Sequence, residues 1–239
     1  MARPPIVEQA AWDAARARIT EQEETVAEAI DQLAAARKRM PMVRVEGDYR
    51  FEGPDGQRSL ADLFDGRSQL ILYRFFFEDG VDGWPDAGCP GCSSWADGIG
   101  QLGLLHSRDI TFAMVSPAPQ DNLRRYAERM GWTHIPWYTI RTERFSADFG
   151  TQEWFGLNVF LRDGDAVYRT YFLQHGAMVR SIGSVATLMA LTPYGAQAED
   201  DDAPDGWPTA PSSFWFRRHD EFDEAAPSAQ ATDLLDLGG

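Results

Sequence analysis

Cysteine is nearly absent from this chain: its 239 residues include only two, Cys89 and Cys92, both within the stretch GCPGC at 88–92. In a reducing compartment, two thiols at this spacing are more typical of a catalytic, redox-sensing or metal-binding pair than of a structural disulfide. The function of the protein therefore depends mainly on what these two residues do.

Basic residues are scarce as well. There are 22 Lys and Arg against 37 Asp and Glu, for a formal net charge of −15. Binding to nucleic acid or to anionic lipid needs clustered positive charge, so neither is expected as a partner. Much of the acidic excess lies near the C-terminus, in AEDDDAPDG (198–206) and HDEFDE (219–224), which is typical of a solubilising tail.

Long apolar runs are missing. The first 22 residues contain no continuous apolar stretch typical of a signal peptide, and no run approaches the ~20 residues of a membrane span. A cytoplasmic location is therefore predicted. The chain also lacks P-loop, G-x-G-x-x-G and H-E-x-x-H motifs, so no nucleotide or flavin cofactor is expected, and none of these motifs predicts a bound metal.

The remaining pattern predicts an α/β fold. Apolar runs at 70–77 and 110–115 read as buried strands, 120–130 as a surface helix, and 134–140 as a short strand. Asp163-Gly164 predicts a two-residue hairpin loop, and 179–191 a further helix. Apolar residues at 95, 99, 102 and 105 share one helical face, although three glycines weaken that helix. The order predicts parallel crossovers with an antiparallel hairpin at one side.

Residues 7–40 are predicted to form a separate amphipathic helix that ends before Pro41. Its apolar positions recur at spacings of three, four and seven: Trp12, Ala15, Ile19, Val26, Ile30 and Leu33. Such a stripe suits packing across the helix's own domain, which is the commoner case, or a homodimer interface. We predict a helical extension at 1–42, one domain at 43–195, and a mostly irregular acidic tail at 196–239 that carries a docked RRHD segment.

The CPGC sequence predicts a reactive dithiol. Pro90 is suited to the first position of a helix, which makes Cys89 the N-cap and turns its sulfur toward unpaired backbone N–H groups. The positive end of the helix stabilises a thiolate there. Cys92 lies one turn further on, so Cys89 is predicted to be the nucleophile and Cys92 the resolving residue.

Two other interpretations of the pair stay open. A zinc site would need two more ligands from His106, His134, His175 and His219, and no two of these have the spacing of a zinc motif. The cysteines can also be an inert pair that contributes to packing.

Several separated motifs resemble one known family. The segments GDYRFEGPDGQRSLADLFDGRSQLILYRF, GCPGCSSWAD and WFRRHDEF are similar to a bacterial thioredoxin-like family called domain of unknown function 899, over nearly the whole chain to about Phe222. The resemblance implies a thioredoxin-like fold, with a central mixed sheet flanked by helices. It implies no particular substrate.

The layout also resembles the wider thioredoxin and peroxiredoxin superfamily. Pro85, Cys89 and Cys92 match a peroxiredoxin pattern, with Cys89 where a hydroxyl residue is usual; this would make Cys92 the peroxidatic residue and reverse the two roles. Gly156 stands where thioredoxins place a cis-proline. Phe155 and Gly156 occupy the region of the peroxiredoxin arginine, for which Arg162 or Arg169 are possible substitutes.

Three further residues are supporting candidates. Trp84, five residues before Cys89, can shape a substrate groove or simply pack on the core. Arg218 and His219, in the closing RRHD motif, can help to hold a thiolate or move protons, or can dock the terminal segment by salt bridges.

The sequence as a whole favours a thiol–disulfide oxidoreductase or thiol-based reductase that cycles Cys89 and Cys92. Its expected partners are a thiol or disulfide substrate and a cellular thiol electron donor. A peroxidase that uses the same cysteines is the nearest alternative. A non-catalytic binding or structural protein that keeps the fold is the alternative from another class.

Overall fold

The computed structural model of the chain describes residues 3–152, 155–174, 183–197, 202–209 and 217–222. The helices in these ranges are α1 (Gln9–Lys38), α2 (Pro90–Asp97), α3 (Gly103–His106), α4 (Gln120–Arg129), α5 (Phe145–Asp148) and α6 (Ser184–Ala190). The strands are β1 (Val43–Arg44), β2 (Arg50–Gly53), β3 (Gly56–Ser59), β4 (Gln69–Arg74), β5 (Ile110–Ser116), β6 (Trp137–Ile140), β7 (Gly156–Asp163) and β8 (Ala166–Gln174). Short 3-10 turns cover Asp62–Phe64 and His219–Glu221.

The described strands form one sheet in the order β1-β8-β7-β4-β5-β6-β2-β3. β4, β5 and β6 are parallel neighbours, and the other pairs are antiparallel. α2 and α3 connect β4 to β5, and α4 connects β5 to β6, so the predicted parallel crossovers are confirmed. The predicted hairpin is also confirmed, since Asp163 pairs with Ala166 across a two-residue loop. This mixed sheet with flanking helices is the expected thioredoxin-like fold.

Helices and a 3-10 turn cover both faces of the central strands, so a hydrophobic core lies on each face of the sheet. One lies under α2 and α4 and is rich in aromatic rings, including Tyr73, Phe75 and Phe77, which are all fully buried. The other lies under α5 and the first 3-10 turn, around Phe145 and Phe160. The alternation along β4 places Leu70 and Leu72 in the second core, and Ile71 and Tyr73 in or against the first.

The chain from 75 to 77 leaves the ladder of β4, with Phe75 and Phe77 buried and Phe76 partly buried, so the predicted strand at 70–77 is too long. The carbonyl oxygen of Phe75 accepts from Ser116 Oγ at 2.8 Å, and that of Phe76 accepts from the Cys89 N–H at 3.0 Å. These partners replace the ladder and direct the chain toward the dithiol.

The helix expected across 95–105 is broken, and the reason is the glycines. α2 ends with Gly98 as its C-cap, whose N–H donates to the Trp95 carbonyl oxygen at 3.1 Å, and α3 begins only at Gly103. The cost of holding several glycines helical exceeds what one apolar face contributes.

The predicted N-terminal helix is confirmed, but its packing across the domain is not. None of the 30 residues of α1 is buried. Near its C-terminal end the Arg37 guanidinium lies 4.9 Å from the Tyr171 ring centroid. The apolar stripe is therefore not covered by the described part of the chain.

Two predicted features near the C-terminus fall partly outside the described residues. The predicted helix at 179–191 is described only as α6, and 198–201 of the acidic segment are not covered. Among the helices that are described, none combines the length and apolar character that crossing a bilayer requires.

Candidate redox site

The dithiol lies at the N-terminus of α2, as predicted. Cys89 is the N-cap and Pro90 the first helical residue. The backbone N–H of Cys92 donates to Cys89 Sγ, with 3.4 Å between nitrogen and sulfur. Both thiols are free, so the described state is reduced.

The two sulfurs have opposite environments. Cys89 is partly exposed, and the pKa of its thiol is lowered from 9.0 to about 7, mainly by a hydrogen bond from the Cys92 side chain. Backbone N–H groups of Cys92 and Gly91 lower this pKa further, and burial opposes them. Cys92 is fully buried, and burial raises the pKa of its thiol well above the ordinary value. At neutral pH a large share of Cys89 is thiolate while Cys92 keeps its proton, which favours Cys89 as the attacking residue.

A buried tyrosine adjoins Cys92. Tyr73 is fully buried, and burial raises the pKa of its hydroxyl well above 10. Its hydroxyl makes no well-aligned hydrogen bond within the described residues, yet it lies close enough to the Cys92 sulfur to lower the pKa of that thiol. The ring stacks on Trp95 of α2, with 4.3 Å between centroids. Tyr73 is thus a protonated hydroxyl held against the buried sulfur, and the sequence reasoning took it only as core.

Arg218 reaches the dithiol from the far end of the chain. The residue is 4% exposed, and its Nε and Nη2 donate to the carbonyl oxygen of Gly88 at 3.1 and 2.7 Å. Nη2 also donates to the Asp82 carbonyl at 2.6 Å, and Nη1 to Glu221 Oε1 at 2.6 Å. The guanidinium charge lowers the pKa of Cys89. Of the two candidates in the RRHD motif, this is the one that the structure brings to the cysteines.

The loop before Cys89 is shaped around this arginine. Gly83 has φ +91°, and a Cβ on it would lie 2.7 Å from Arg218 Nη2 and 2.9 Å from the Ala87 Cβ. Trp84, joined to Pro85 by a cis peptide bond, is half-buried and packs on Phe77 with 5.6 Å between ring centroids. Trp84 therefore supports the loop from the core side.

The first turn of α2 is fixed from α4. Ser93 Oγ donates to the Cys89 carbonyl at 2.8 Å and lies 2.7 Å from the Tyr126 hydroxyl. Burial raises the pKa of Tyr126 to about 12, so this hydroxyl also stays protonated. The turn that carries Cys89 is rigid because the carbonyl, Ser93 and Tyr126 form one chain of contacts.

His219 lies away from the cysteines. Its Nδ1 is 2.8 Å from Asp97 Oδ1, and the same oxygen accepts from Trp132 Nε1 at 2.9 Å. Asp97 is the last residue of α2, so this pair is about 12 Å along the helix from Cys89. His219 thus secures the terminal segment at the opposite end of the helix, together with the Arg129–Asp220 ion pair at 2.6 Å.

Gly156 begins β7 opposite Arg74, the last residue of β4. A Cβ on it would lie 2.8 Å from the Phe172 ring and 2.9 Å from the Thr151 methyl group, so close packing accounts for the glycine. Neither substitute arginine is placed at the dithiol. Arg162 donates to the Gly164 carbonyl in the hairpin, and Arg169 to the Phe149 carbonyl.

Arg74 is a buried charge that the sequence reasoning missed. It is 2% exposed, and its Nη2 donates to Glu78 Oε1 at 2.7 Å while Nη1 donates to the Phe75 carbonyl at 3.1 Å. An arginine within an apolar run, followed four residues later by a glutamate, is the available sequence signal.

Two of the four histidines proposed for zinc have other partners. His134 Nε2 lies 3.0 Å from the Ile99 carbonyl, His219 is paired with Asp97, and His175 lies outside the described residues. Within the described ranges, no three or more His, Cys, Asp and Glu side chains are grouped as a metal site.

A pocket of about 500 Å³ opens beside α2. Ser94 and Asp97 form its α2 wall, and Val185, Met189 and Phe222 supply apolar surface. A larger concavity of about 670 Å³ lies between α4 and the β6 edge, away from the cysteines. The smaller one is the concavity that borders the dithiol helix.

Comparison with known proteins gives one family and a set of distant structures. The family described as "Bacterial protein of unknown function (DUF899)" matches residues 1–222. No curated protein matches the chain. Solved structures that resemble it include peroxidoxin BcpB from Mycobacterium tuberculosis, at 17% identity and a TM-score of 0.38, covering 64% of this chain and 98% of that one.

Two other structures are similar at the same level. The exposed lipoprotein thioredoxin Etrx1 from Streptococcus pneumoniae strain TIGR4 has 13% identity and a TM-score of 0.37, covering 56% of this chain and 96% of its own. A yeast mitochondrial 1-Cys peroxiredoxin has 15% identity and a TM-score of 0.36, covering 62% and 78%. Likenesses this distant assign no role to any residue here.

Proposed function

This chain belongs to the bacterial DUF899 family, and we propose that it is a thiol–disulfide oxidoreductase in which Cys89 attacks and Cys92 resolves. The observation that carries the proposal is the asymmetry of the two sulfurs. One is accessible with a pKa of about 7, and the other is buried with a raised pKa. Two cysteines that only contribute to packing would not require different exposures and different pKa values.

In the first step, the Cys89 thiolate attacks a substrate disulfide. The substrate S–S bond breaks, a mixed disulfide forms on Cys89, and one substrate thiolate leaves and takes a proton from water. The N-terminus of α2 and the nearby Arg218 guanidinium stabilise the thiolate before attack.

In the second step, Cys92 attacks the Cys89 sulfur. The mixed disulfide breaks, the Cys89–Cys92 disulfide forms, and the second substrate thiolate leaves with the proton that Cys92 gives up. The substrate gains two electrons and the protein loses them. A dithiol donor returns the protein to its reduced state by the reverse exchange.

The order of the steps follows from the coupling between the sulfurs. The Cys89 side chain and its negative charge both raise the pKa of Cys92. Once Cys89 is bound in a mixed disulfide, that charge is gone, and Cys92 loses its proton more readily. The Tyr73 hydroxyl then faces the new thiolate and donates to it. Burial, the largest effect that raises the pKa of Cys92, remains in the mixed disulfide, but the loss of the Cys89 charge makes Cys92 a better nucleophile at that stage.

The burial of Cys92 argues against the alternative in which the protein is a peroxidase and Cys92 is the peroxidatic residue. A peroxidatic sulfur has to be reached by its substrate, and Cys92 has no exposed surface in the reduced state. If the protein consumes peroxide, a sulfenic acid is expected on Cys89. Dimedone labelling followed by peptide mass spectrometry distinguishes the two residues.

The terminal segment is part of the proposed site. We propose an organisation of a helical extension at 1–42, a thioredoxin-like domain at 43–195 and an acidic tail at 196–239 whose segment 217–222 returns to the dithiol loop. Val43 of β1 already pairs with Arg169 in the sheet, which supports the first boundary. A cytoplasmic thiol pool is the proposed source of electrons.

Trapping experiments test the function. Cys92→Ser is expected to accumulate a mixed disulfide with a model disulfide substrate, because the first step proceeds and the second cannot. Cys89→Ser is the matched control and is expected to trap nothing. Both variants are expected to lose turnover, and full turnover in both would contradict the proposal.

A redox titration of the wild type in dithiothreitol buffers is the companion measurement. A single two-thiol transition between about −120 and −270 mV, read by alkylation and intact mass, is expected of a thiol oxidoreductase. Two thiols that never pair would favour the non-catalytic alternative.

A further inference from the structure

Most of the apolar stripe of α1 follows a heptad repeat. Four of its five large apolar residues, Trp12, Ile19, Val26 and Leu33, follow one another at intervals of seven, and the fifth, Ile30, lies four residues after Val26. Three positions after each of the four come Ala15, Gln22, Ala29 and Ala36. In heptad notation the first set occupies position a and the second position d, over four successive heptads.

This face has no partner in the described part of the chain. The exposed fractions of the four a-position residues are 55%, 49%, 57% and 49%, in chain order. α1 is about 45 Å long, and none of its residues is buried. Most helix stability in proteins comes from the packing of an apolar face. A helix of this length with five exposed large apolar residues is therefore expected to pack against a second surface.

We propose that α1 pairs with α1 of a second copy of this chain, as a parallel two-stranded coiled coil. The period of the stripe supports this partner. An ideal straight helix drifts by about 20° per heptad relative to a repeat of seven, so a stripe for a globular surface has no reason to keep that repeat. Two supercoiled helices do need it. β-branched residues at a, here Ile19 and Val26, favour two parallel strands.

The flanking charges select the parallel orientation. In a parallel pair, Arg18 at position g faces Glu23 at position e of the other helix, and symmetry gives this contact twice. The remaining g–e pairs across the four heptads join no like charges. In an antiparallel pair at full overlap, Glu23 would instead face its own copy across the symmetry axis.

The same charges disfavour a lipid surface as the occupant. Acidic residues cluster in the middle of the helix, at Glu21, Glu23, Glu24, Glu28 and Asp31. A helix lying on an anionic membrane carries Lys and Arg on its polar face instead. The alanines at d allow close approach of a second helix.

A parallel pair has a consequence for the thiol sites. The domain follows the C-terminal end of α1, where Arg37 contacts Tyr171 of β8. In a parallel coiled coil these ends are adjacent, so both dithiol domains lie at the same end of the dimer.

The test measures the solution mass of the full chain. Wild type is expected to sediment as a dimer, at twice the 26.8 kDa of one chain. Val26→Asp places a charge at the centre of the interface and is expected to weaken dimerisation by roughly 100-fold or more. The matched control is Ala27→Asp, which inserts the same side chain one position away on the outer face and is expected to stay dimeric.

Orientation is tested by cross-linking in a Cys89→Ser/Cys92→Ser background. Leu33→Cys is expected to form a disulfide-linked dimer on oxidation, because equal a positions meet only in a parallel pair. An antiparallel pair would cross-link only when this variant is mixed with Ala15→Cys, and that result would overturn the orientation. A monomeric wild type, or a Val26→Asp variant that dimerises as well as Ala27→Asp, would overturn the interface.

Discussion

The Arg218 guanidinium caps the carbonyl oxygen of Gly88, the residue immediately before Cys89, through both Nε and Nη2. The two residues are 130 positions apart in the sequence. The contact ties the terminal segment to the peptide that leads into the dithiol. Because the charge of Arg218 lowers the pKa of Cys89, displacement of the terminal segment from this place is expected to raise the pKa of that thiol.

Arg218→Gln is therefore expected to make Cys89 less acidic. Removal of the positive charge removes one of the effects that lower the pKa of this thiol, so the pKa rises from about 7. The rate of Cys89 alkylation at pH 7 falls, and its pH midpoint moves upward. The loss of charged hydrogen bonds to the Gly88 and Asp82 carbonyls also lowers the free energy of unfolding, by about 2 kcal/mol.

Arg124→Gln is the control for the first prediction. Arg124 lies on the outer face of α4 and pairs with Glu128 at 3.1 Å, with both side chains more than half exposed. Its loss is expected to leave the alkylation midpoint unchanged. Equal midpoints in the two variants would show that the guanidinium near Gly88 has no electrostatic effect on Cys89.

The thiol site was predictable from sequence because its signals are local. A proline after a cysteine favours the start of a helix, and that alone gives Cys89 as N-cap and Cys92 as its partner one turn further on. The fold was predictable for the same reason, since continuous apolar runs, turn glycines and Asp163-Gly164 all act over short distances.

What the sequence did not indicate depends on distant contacts. Nothing near Tyr73 in the sequence shows that its hydroxyl meets Cys92, because that contact arises only when α2 packs on β4. The sequence also does not show that Arg218 and His219 act at different places. Arg218 contacts the Gly88 carbonyl beside the dithiol, whereas His219 contacts Asp97, about 12 Å further along α2. The glycines between α2 and α3 are plain in the sequence. To predict that they break the helix, however, one has to compare the free-energy cost of helical glycines with the stabilisation gained by burying one apolar face.

The pH dependence of Cys89 depends on its partner thiol. In wild type, thiolate accumulates as the pH rises through about 7, so the alkylation rate with iodoacetamide is expected to be half-maximal near that pH. The hydrogen bond from Cys92 is the largest effect that lowers this pKa. Cys92→Ala removes it and is expected to move the midpoint toward 9. A midpoint that stays near 7 would mean that the backbone N–H groups suffice.

Tyr73→Phe tests the resolving step. The ring keeps its stacking on Trp95, and only the hydroxyl that faces the Cys92 sulfur is lost. The first exchange at Cys89 is expected to keep its rate, while resolution by Cys92 slows by about 10-fold, a cost of about 1.4 kcal/mol typical of one hydrogen bond to a charged group. Stopped-flow measurement with a chromogenic disulfide separates the phases.

Tyr126→Phe is the matched variant for this measurement. It removes a hydroxyl that contacts Ser93 rather than the cysteine sulfur, so resolution is expected to slow less than in Tyr73→Phe. If the two variants slow the second phase equally, the Tyr73 hydroxyl has no specific role in stabilising the Cys92 thiolate.

The ion pair between the buried Arg74 and the partly exposed Glu78 is expected to matter for stability rather than for exchange. Glu78→Gln leaves the Arg74 guanidinium, which is 2% exposed, without its carboxylate partner. Breaking such a pair from one side is costly because the remaining charge stays desolvated, and we expect a loss of about 2–3 kcal/mol in the free energy of unfolding.

Glu128→Gln is the control, since it breaks an exposed pair with Arg124 and is expected to change stability by less than about 0.5 kcal/mol. Urea unfolding of both variants measures the difference, and equal midpoints would mean that water or a neighbouring carbonyl replaces the carboxylate at Arg74. The groups that shift the pKa of Cys89 include neither Arg74 nor Glu78, so the alkylation midpoint of Cys89 is expected to be the same in both variants.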